Sequence, residues 1–340
     1  MIFSYRTRQL LKRVFAVLLH MILVAVSLVF CWLLWLQRFV LYTPEGVQLD
    51  FAMVQSTAPA VIPSRPEQAH VSIEYVGEAA VDEEEEVVVV QPKRLEGYYV
   101  DVYTLMEDAS VLLPQLEALP AGTPVLVDIK NYWGYFYYTS ALGSVAKQSN
   151  AQQVDALFAY LAESDLYTIA RFPSLRDYDF GLNQYTCGIM KTNGYLWEDE
   201  KKCYWLDPAK DGTLSHLIQI IKELRGMGFD EVVLQDFQIP QADSIVYPEP
   251  SAALETAAQA LVTACATEQF TVSFVASQQF DSIPDSRSRL YLTDVAAADV
   301  AQLVEKLGIA DPESRVVIIA QTYDTRYDVC GTLHPLDQAH

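Results

Sequence analysis

The chain has 340 residues, is 51% hydrophobic and carries a net charge of −21. That length allows one large core, and the acidic balance argues against nucleic acid or anionic lipid as a partner. Five histidines are scattered and five cysteines show no CxxC or Cys/His ligand spacing, so no metal site and no cofactor are expected.

Arg6, Arg8, Lys12 and Arg13 precede Val14–Leu36, an apolar run long enough to span a bilayer as one helix. Basic residues on its N-terminal side orient residues 1–13 toward the cytoplasm, and Trp32, Trp35 and Tyr42 suit the outer interface. The bulky residues that follow the run disfavour signal-peptide cleavage. A retained single-pass anchor at 14–36 in the cell membrane is therefore expected, with an extracellular domain beyond it. The first 38 residues hold five basic and no acidic residues, so without them the balance moves from −21 to −26. Residues 37–94 carry Pro44, Pro59, Pro63, Pro66 and the acidic block Asp82–Glu86. Such a segment reads as a largely disordered stalk.

Regular patterning begins near residue 95. Gly97–Tyr103 reads as a first strand, Ala109–Leu119 as a short helix and Pro124–Lys130 as a second strand. Val154, Leu157, Phe158 and Leu161 form an i, i+3, i+4, i+7 stripe before a third strand, Tyr167–Phe172. After the long segment Ser174–Gly212, a helix marked by Leu214, Leu217, Ile218, Ile221 and Leu224 leads to a fourth strand at Val232–Leu234. Gly226 and Gly228 suit that helix's C-cap. A helix striped by Leu254, Ala257, Ala258 and Leu261 precedes Thr271–Val275; Arg289–Leu292, the helix Val300–Leu307 and Val316–Ala320 follow. Alternating strands and helices imply a parallel sheet with right-handed crossovers. No glycine-rich phosphate loop follows the first strand, so a TIM-barrel-like (β/α)8 domain, complete or one strand short, is preferred over a doubly wound sheet. It is bounded at 95–330, with 331–340 as a C-terminal tail.

Three strands end on charged groups: Asp128 and Lys130, Arg171, and Asp236. Charged residues at the C-terminal tips of barrel strands are where such folds build active sites. No G-x-S-x-G elbow exists for a nucleophilic serine. Glycosidic cleavage instead needs two carboxyls, and Asp101, Asp128, Glu198, Asp207 and Asp236 are available. Arg171 and Lys130 would bias their pKa values or bind hydroxyls. The long segment is rich in rings, including Tyr178, Tyr195, Trp197, Tyr204 and Trp205, and Asn131–Tyr138 adds Trp133. Such rings either stack on sugars or pack loops onto the barrel. Cys187 and Cys203 share this segment as a disulfide or as two thiols; both stay open.

The blocks VLVDIKNYWGYFYY (Val125–Tyr138), IARF (Ile169–Phe172), RD (Arg176–Asp177), GYLWED (Gly194–Asp199), WLDP (Trp205–Pro208) and GFDEVVLQDFQIP (Gly228–Pro240) occur in this order. Together they resemble a bacterial family described as putative glycoside hydrolase domains, over about Glu96–Tyr327. The resemblance implies a TIM barrel, sugar-polymer substrates, and site positions at Asp128, Lys130, Arg171, Trp205 and Asp207. One departure stands out: Gln235 falls where the family carries an acid, and Gln238 where it carries arginine. Asp236 is one residue along, and adjacent strand residues face opposite ways. A membrane-anchored glycoside hydrolase using Asp128 and Asp236 is therefore expected, with Lys130, Arg171, Trp133, Trp197, Trp205, Asp207 and Gln235 as substrate-binding residues. An inactive barrel that binds glycan or cell-wall polymer, or an envelope scaffold, stays open.

Overall fold

The computed structural model describes Val40–Thr43, Gly46–Leu49 and residues 92–336. In it, β1 (Glu96–Tyr99), β2 (Pro124–Asp128), β3 (Tyr167–Pro173), β4 (Glu231–Gln235), β5 (Thr271–Val275), β6 (Leu290–Thr293), β7 (Val316–Ile319) and β8 (Gly331–Pro335) close into a barrel. Every neighbouring pair is parallel, and β8 pairs with β1. The helices are α1 (Val102–Asp108), α2 (Leu113–Glu117), α3 (Ala151–Glu163), α4 (Tyr178–Asn183), α5 (Asp211–Gly226), α6 (Pro250–Cys265), α7 (Val300–Leu307) and α8 (Pro312–Arg315). No helix separates β5 from β6.

The two-residue period of a strand explains how one chain fills both sides of the wall. Tyr99, Leu126, Ile169, Val233, Val275, Tyr291, Val317 and Leu333, one from each strand, pack together inside the barrel. Their neighbours Val125, Val127, Ala170, Phe172, Val232, Leu234, Val272 and Phe274 face outward to the helices. The α3 stripe of Val154, Leu157, Phe158 and Leu161 is buried as its spacing predicts. Gly228 adopts φ +94 just past α5, a left-handed turn that glycine makes without penalty.

The N-terminal end of the barrel is plugged by a polar cluster. Glu231 is fully buried and accepts hydrogen bonds from Arg289 Nη1 (2.6 Å), the Tyr167 hydroxyl (2.9 Å) and the Tyr291 hydroxyl (3.0 Å). A buried carboxylate persists only with such partners.

Three expectations are corrected. The first strand stops at Tyr99, because the Asp101 carboxylate accepts the Thr104 N–H (3.0 Å) and starts α1 at Val102. The helix expected over Ala109–Leu119 divides into a 3-10 turn at Ala109–Val111 and the short α2. The barrel is complete rather than one strand short: Gly331–Pro335, inside the supposed tail, is its eighth strand. Its sequence GTLHP offers only Leu333 to the interior, and a Cβ on Gly331 would lie 2.9 Å from the Leu95 carbonyl oxygen. That tight approach selects glycine over a β-branched residue and hides the strand.

Val40–Thr43 and Gly46–Leu49 pair antiparallel as a small hairpin within the segment read as a stalk. The rest of that stalk up to residue 91 and the run Val14–Leu36 lie outside the described residues. Among the described residues no helix is long and apolar enough to cross a membrane.

Candidate active site at the barrel mouth

The C-terminal tips of β2, β3 and β4 stand side by side. Asp128 is in register with Arg171, and Pro173 with Gln235. Asp128, Arg171 and Gln235 share the inward parity of Leu126, Ile169 and Val233, so all three top the barrel interior. Arg171 donates to both Asp128 oxygens, from Nε at 2.6 Å and Nη2 at 2.9 Å. This bidentate pair is charge-assisted and geometrically fixed. Burial disfavours the Arg171 cation, but Asp128 outweighs that and holds its pKa above the usual arginine value.

Asp236 follows Gln235, where alternation alone would send its side chain outward. Its backbone instead adopts φ +52, and an aspartate tolerates that left-handed region better than most residues. Both neighbours are pinned. Ser174 donates through its N–H and its hydroxyl to the Gln235 carbonyl, each at 2.7 Å. Phe237 is buried against Phe274 (4.8 Å between ring centroids) and Phe280 (5.0 Å). Burial raises the Asp236 pKa above the usual carboxylate range, against the pull of Arg176, Arg171 and Lys201, while Asp199 pushes it further up. Asp236 thus lies in the field of the mouth's charged groups and not on the helix-facing side of β4.

The long loop that supplies these charges folds through antiparallel bridges, Arg176 to Trp205 and Glu198 to Tyr204. Asp199 is its hub: it accepts from Lys201 N (2.9 Å), Cys203 N (3.0 Å) and Trp205 Nε1 (3.2 Å), and it pairs with Arg176 Nη2. Burial opposes ionisation of Asp199, yet these donors hold its pKa below the usual value. The Arg176 guanidinium lies 4.5 Å over the Tyr132 ring and 5.6 Å over the Trp205 ring. Neither Arg176 nor Asp199 was singled out as a site residue, although the RD and GYLWED blocks contain them.

The remaining expected site residues divide clearly. Lys130 is corrected from a ligand-facing donor to a structural cation: it is 2% exposed and its Nζ bonds Asp177. Asp177 also caps α4 through the Phe180 N–H (2.9 Å) and sits 3.4 Å from His216 Nε2. Burial opposes the Asp177 charge, but Lys130 and His216 pull its pKa well below the usual range. Asp207 accepts the Tyr247 hydroxyl (2.6 Å) and the Ala209 N–H (2.9 Å), so it braces the turn before α5. Trp205 is buried in the Arg176–Asp199 cluster, and Trp197 is half-buried against the core. Trp133 packs edge-on to Tyr178 at 5.2 Å, and Tyr178 stacks on Tyr204 at 5.2 Å. These rings mainly fasten the loop. Cys187 and Cys203 are free, buried thiols. Cys203 donates to the Tyr132 carbonyl (3.0 Å), and burial pushes its pKa up to about 12. Among the described residues no three metal-ligating side chains converge.

A closed eight-stranded parallel barrel with paired and unpaired charges gathered at its C-terminal mouth is a TIM barrel. Residues 118–278 match the family described as "Putative glycosyl hydrolase domain", so the resemblance carried by the sequence blocks holds over that stretch. The α-galactosidase of Lactobacillus brevis is similar in structure, with a TM-score of 0.50 and 13% identity. The match covers 73% of this chain and 38% of that one, and at that identity the likeness is one of fold. A hypothetical protein of Ruminiclostridium thermocellum ATCC 27405 aligns at 21% identity with a TM-score of 0.45, covering 52% of this chain and 96% of that one. No curated protein matches the sequence.

Proposed function

We propose that the domain cleaves a glycosidic bond in a polysaccharide, with Asp236 as the acid and Asp128 as the carboxylate partner. The observation that supports this reading is the contrast between the two groups. Asp128 is locked in a bidentate pair with Arg171, whereas burial raises the Asp236 pKa and favours its protonated form. A carboxyl whose neutral form is favoured by burial, beside one held in an ion pair, can divide the work into a proton donor and a charge-stabilising partner. Asp236 would protonate the leaving glycosidic oxygen while Asp128 faces the developing positive charge, and water completes the hydrolysis. Gln235 would hydrogen-bond a sugar hydroxyl without taking part in proton transfer.

The test is turnover by the full chain, purified in detergent, on a panel of soluble polysaccharides. Asp128→Asn and Asp236→Asn are each expected to lower the rate by about 10²-fold or more. Turnover unchanged by both substitutions would remove this assignment. A second reading, glycan binding without cleavage, is favoured by one observation: the inward position at the tip of β4 is Gln235 and not an acid. Saturable binding of a polysaccharide with no product would select it.

The basic residues before Val14–Leu36 support a single-pass anchor with the barrel outside the cell. Protease added to intact cells would then cut the barrel; full protection of the barrel would reject that orientation.

A further inference from the structure

Five non-glycine residues among the described ones adopt a positive φ, and two of them, Asp236 at φ +52 and Asp294 at φ +57, directly follow a barrel strand. Their settings match residue by residue. Gln235 ends β4 with the inward parity of Val233, and Thr293 ends β6 with the inward parity of Tyr291. After each aspartate the chain turns back behind the wall. Phe237 is buried against Phe274 and Phe280. Val295 packs against the outer cluster of Leu292, Val300 and Ile318, and its carbonyl accepts the Tyr327 hydroxyl (3.1 Å). Simple alternation would send both aspartates outward as well. A left-handed residue costs backbone energy and redirects the side chain, and such residues gather at functional sites. At two strand tips of one barrel, this turn leaves a carboxylate at the rim of the mouth.

The two carboxylates differ in their surroundings. Asp236 is half-buried, whereas Asp294 is exposed, and among the described residues its oxygens accept no hydrogen bond and form no ion pair. Asp128, by contrast, gives both oxygens to Arg171, so it is poorly placed to take a proton from water. β4 and β6 both pair with β5, and two strand spacings of about 4.8 Å set their tips roughly 9 Å apart. That span exceeds the roughly 5 Å of carboxyl pairs that form a covalent sugar adduct. It falls in the range of about 6.5–9.5 Å that leaves room for a water between acid and base.

We propose that Asp294 is a further catalytic carboxylate, the base that activates the attacking water opposite Asp236, so that cleavage inverts the anomeric carbon. This role rests on the glycosidase reading of the mouth. The water oxygen bonds to the anomeric carbon as Asp294 takes its proton. The glycosidic C–O bond breaks, and its electron pair stays on the leaving oxygen, which receives the Asp236 proton. Asp294 ends protonated and Asp236 ionised, and exchange with solvent restores both.

The test uses the full chain in detergent, with starch, galactomannan, glycol chitin and chitosan as substrates. Asp294→Asn keeps a residue that tolerates the left-handed backbone. Its Tm should therefore hold while kcat falls about 10²-fold or more and KM changes little. Proton NMR of the first product should show the inverted anomer. In Asp294→Gly, sodium azide should restore turnover as a glycosyl azide, because azide attacks the anomeric carbon with no proton to lose. Full activity of Asp294→Asn beside a slow Asp236→Asn would overturn this role and leave the mouth reading intact. A retained anomer, a defect confined to KM, or an azide-treated Asp294→Gly that stays inactive would do the same. No turnover by the parent on any substrate, or turnover untouched by both Asp236→Asn and Asp128→Asn, would overturn both.

Discussion

The barrel carries an arginine–carboxylate pair at each end, and the two pairs do different work. At the N-terminal end Glu231 and Arg289 are 0% and 4% exposed in their side chains, and two tyrosine hydroxyls complete the shell around the carboxylate. At the C-terminal end Asp128 and Arg171 keep 17% and 14% exposure, and an aspartate with a raised pKa stands in the field of the same arginine. The chemistry is alike and the solvation is not. A pair with every partner supplied and no water serves the fold; a pair left open at a mouth is available to a ligand.

That contrast can be broken experimentally, most sharply at the N-terminal end. Glu231→Gln leaves Arg289 buried without its counter-charge and should cost about 3–5 kcal/mol, seen as a Tm drop on the order of 10 °C. Replacing both residues with apolar ones, Glu231→Leu with Arg289→Met, should recover much of that loss. Asp177→Asn should cost a comparable amount, about 3–5 kcal/mol, because it likewise leaves the buried Lys130 ammonium without its counter-charge. Its effect should concentrate in the Ser174–Lys210 loop, read as faster proteolysis there. Asp128→Asn should cost about 1–3 kcal/mol in stability, because Arg171 keeps an oxygen acceptor and partial contact with water, while the proposed turnover falls steeply. A Tm drop equal to that of Glu231→Gln would show that the mouth pair is structural too.

The same difference in solvation governs what could be read from the sequence. Strands dense in β-branched residues, such as Val125–Val127 and Val316–Ile319, announce themselves, and Asp128 and Arg171 stand out as charged residues near the ends of apolar strands. β8 was invisible, because a strand opened by Gly331 against the Leu95 backbone and closed by Pro335 has no such pattern. Lys130 was misread because β2 ends at Asp128; beyond it the chain bridges from Lys130 to Phe136 and the ammonium turns to Asp177. Arg176 and Asp199 meet only through antiparallel bridges in an irregular loop, which no periodicity encodes. Glu231 carries no signal of its role in the sequence, since its partners Tyr167, Arg289 and Tyr291 come from two other strands or their flanks.

Asp236 gives the smallest effect and the most specific one, because its sign runs against the other substitutions. Its pKa is raised in the folded chain, whereas the unfolded chain releases that proton near about 3.9. Above that value the unfolded state binds fewer protons than the native state, so stability falls as pH rises, until the native carboxyl has also ionised. Beyond that point the penalty is constant. Asparagine carries no charge and accepts the left-handed backbone at φ +52 about as readily as aspartate, so Asp236→Asn removes the penalty without adding strain. The variant should therefore be more stable than the parent at neutral pH, by under about 1 kcal/mol, and the two should converge as pH falls toward the unfolded value. Urea melts across that pH range measure the gap directly. An Asp236→Asn variant less stable than the parent at pH 7 would mean that Asp236 is a satisfied structural carboxylate like Glu231, and a gap that does not change with pH would mean that folding leaves its pKa unshifted. A gap that opens with pH would instead mark a carboxyl that the fold keeps at a cost in stability, as a proton donor at this mouth requires.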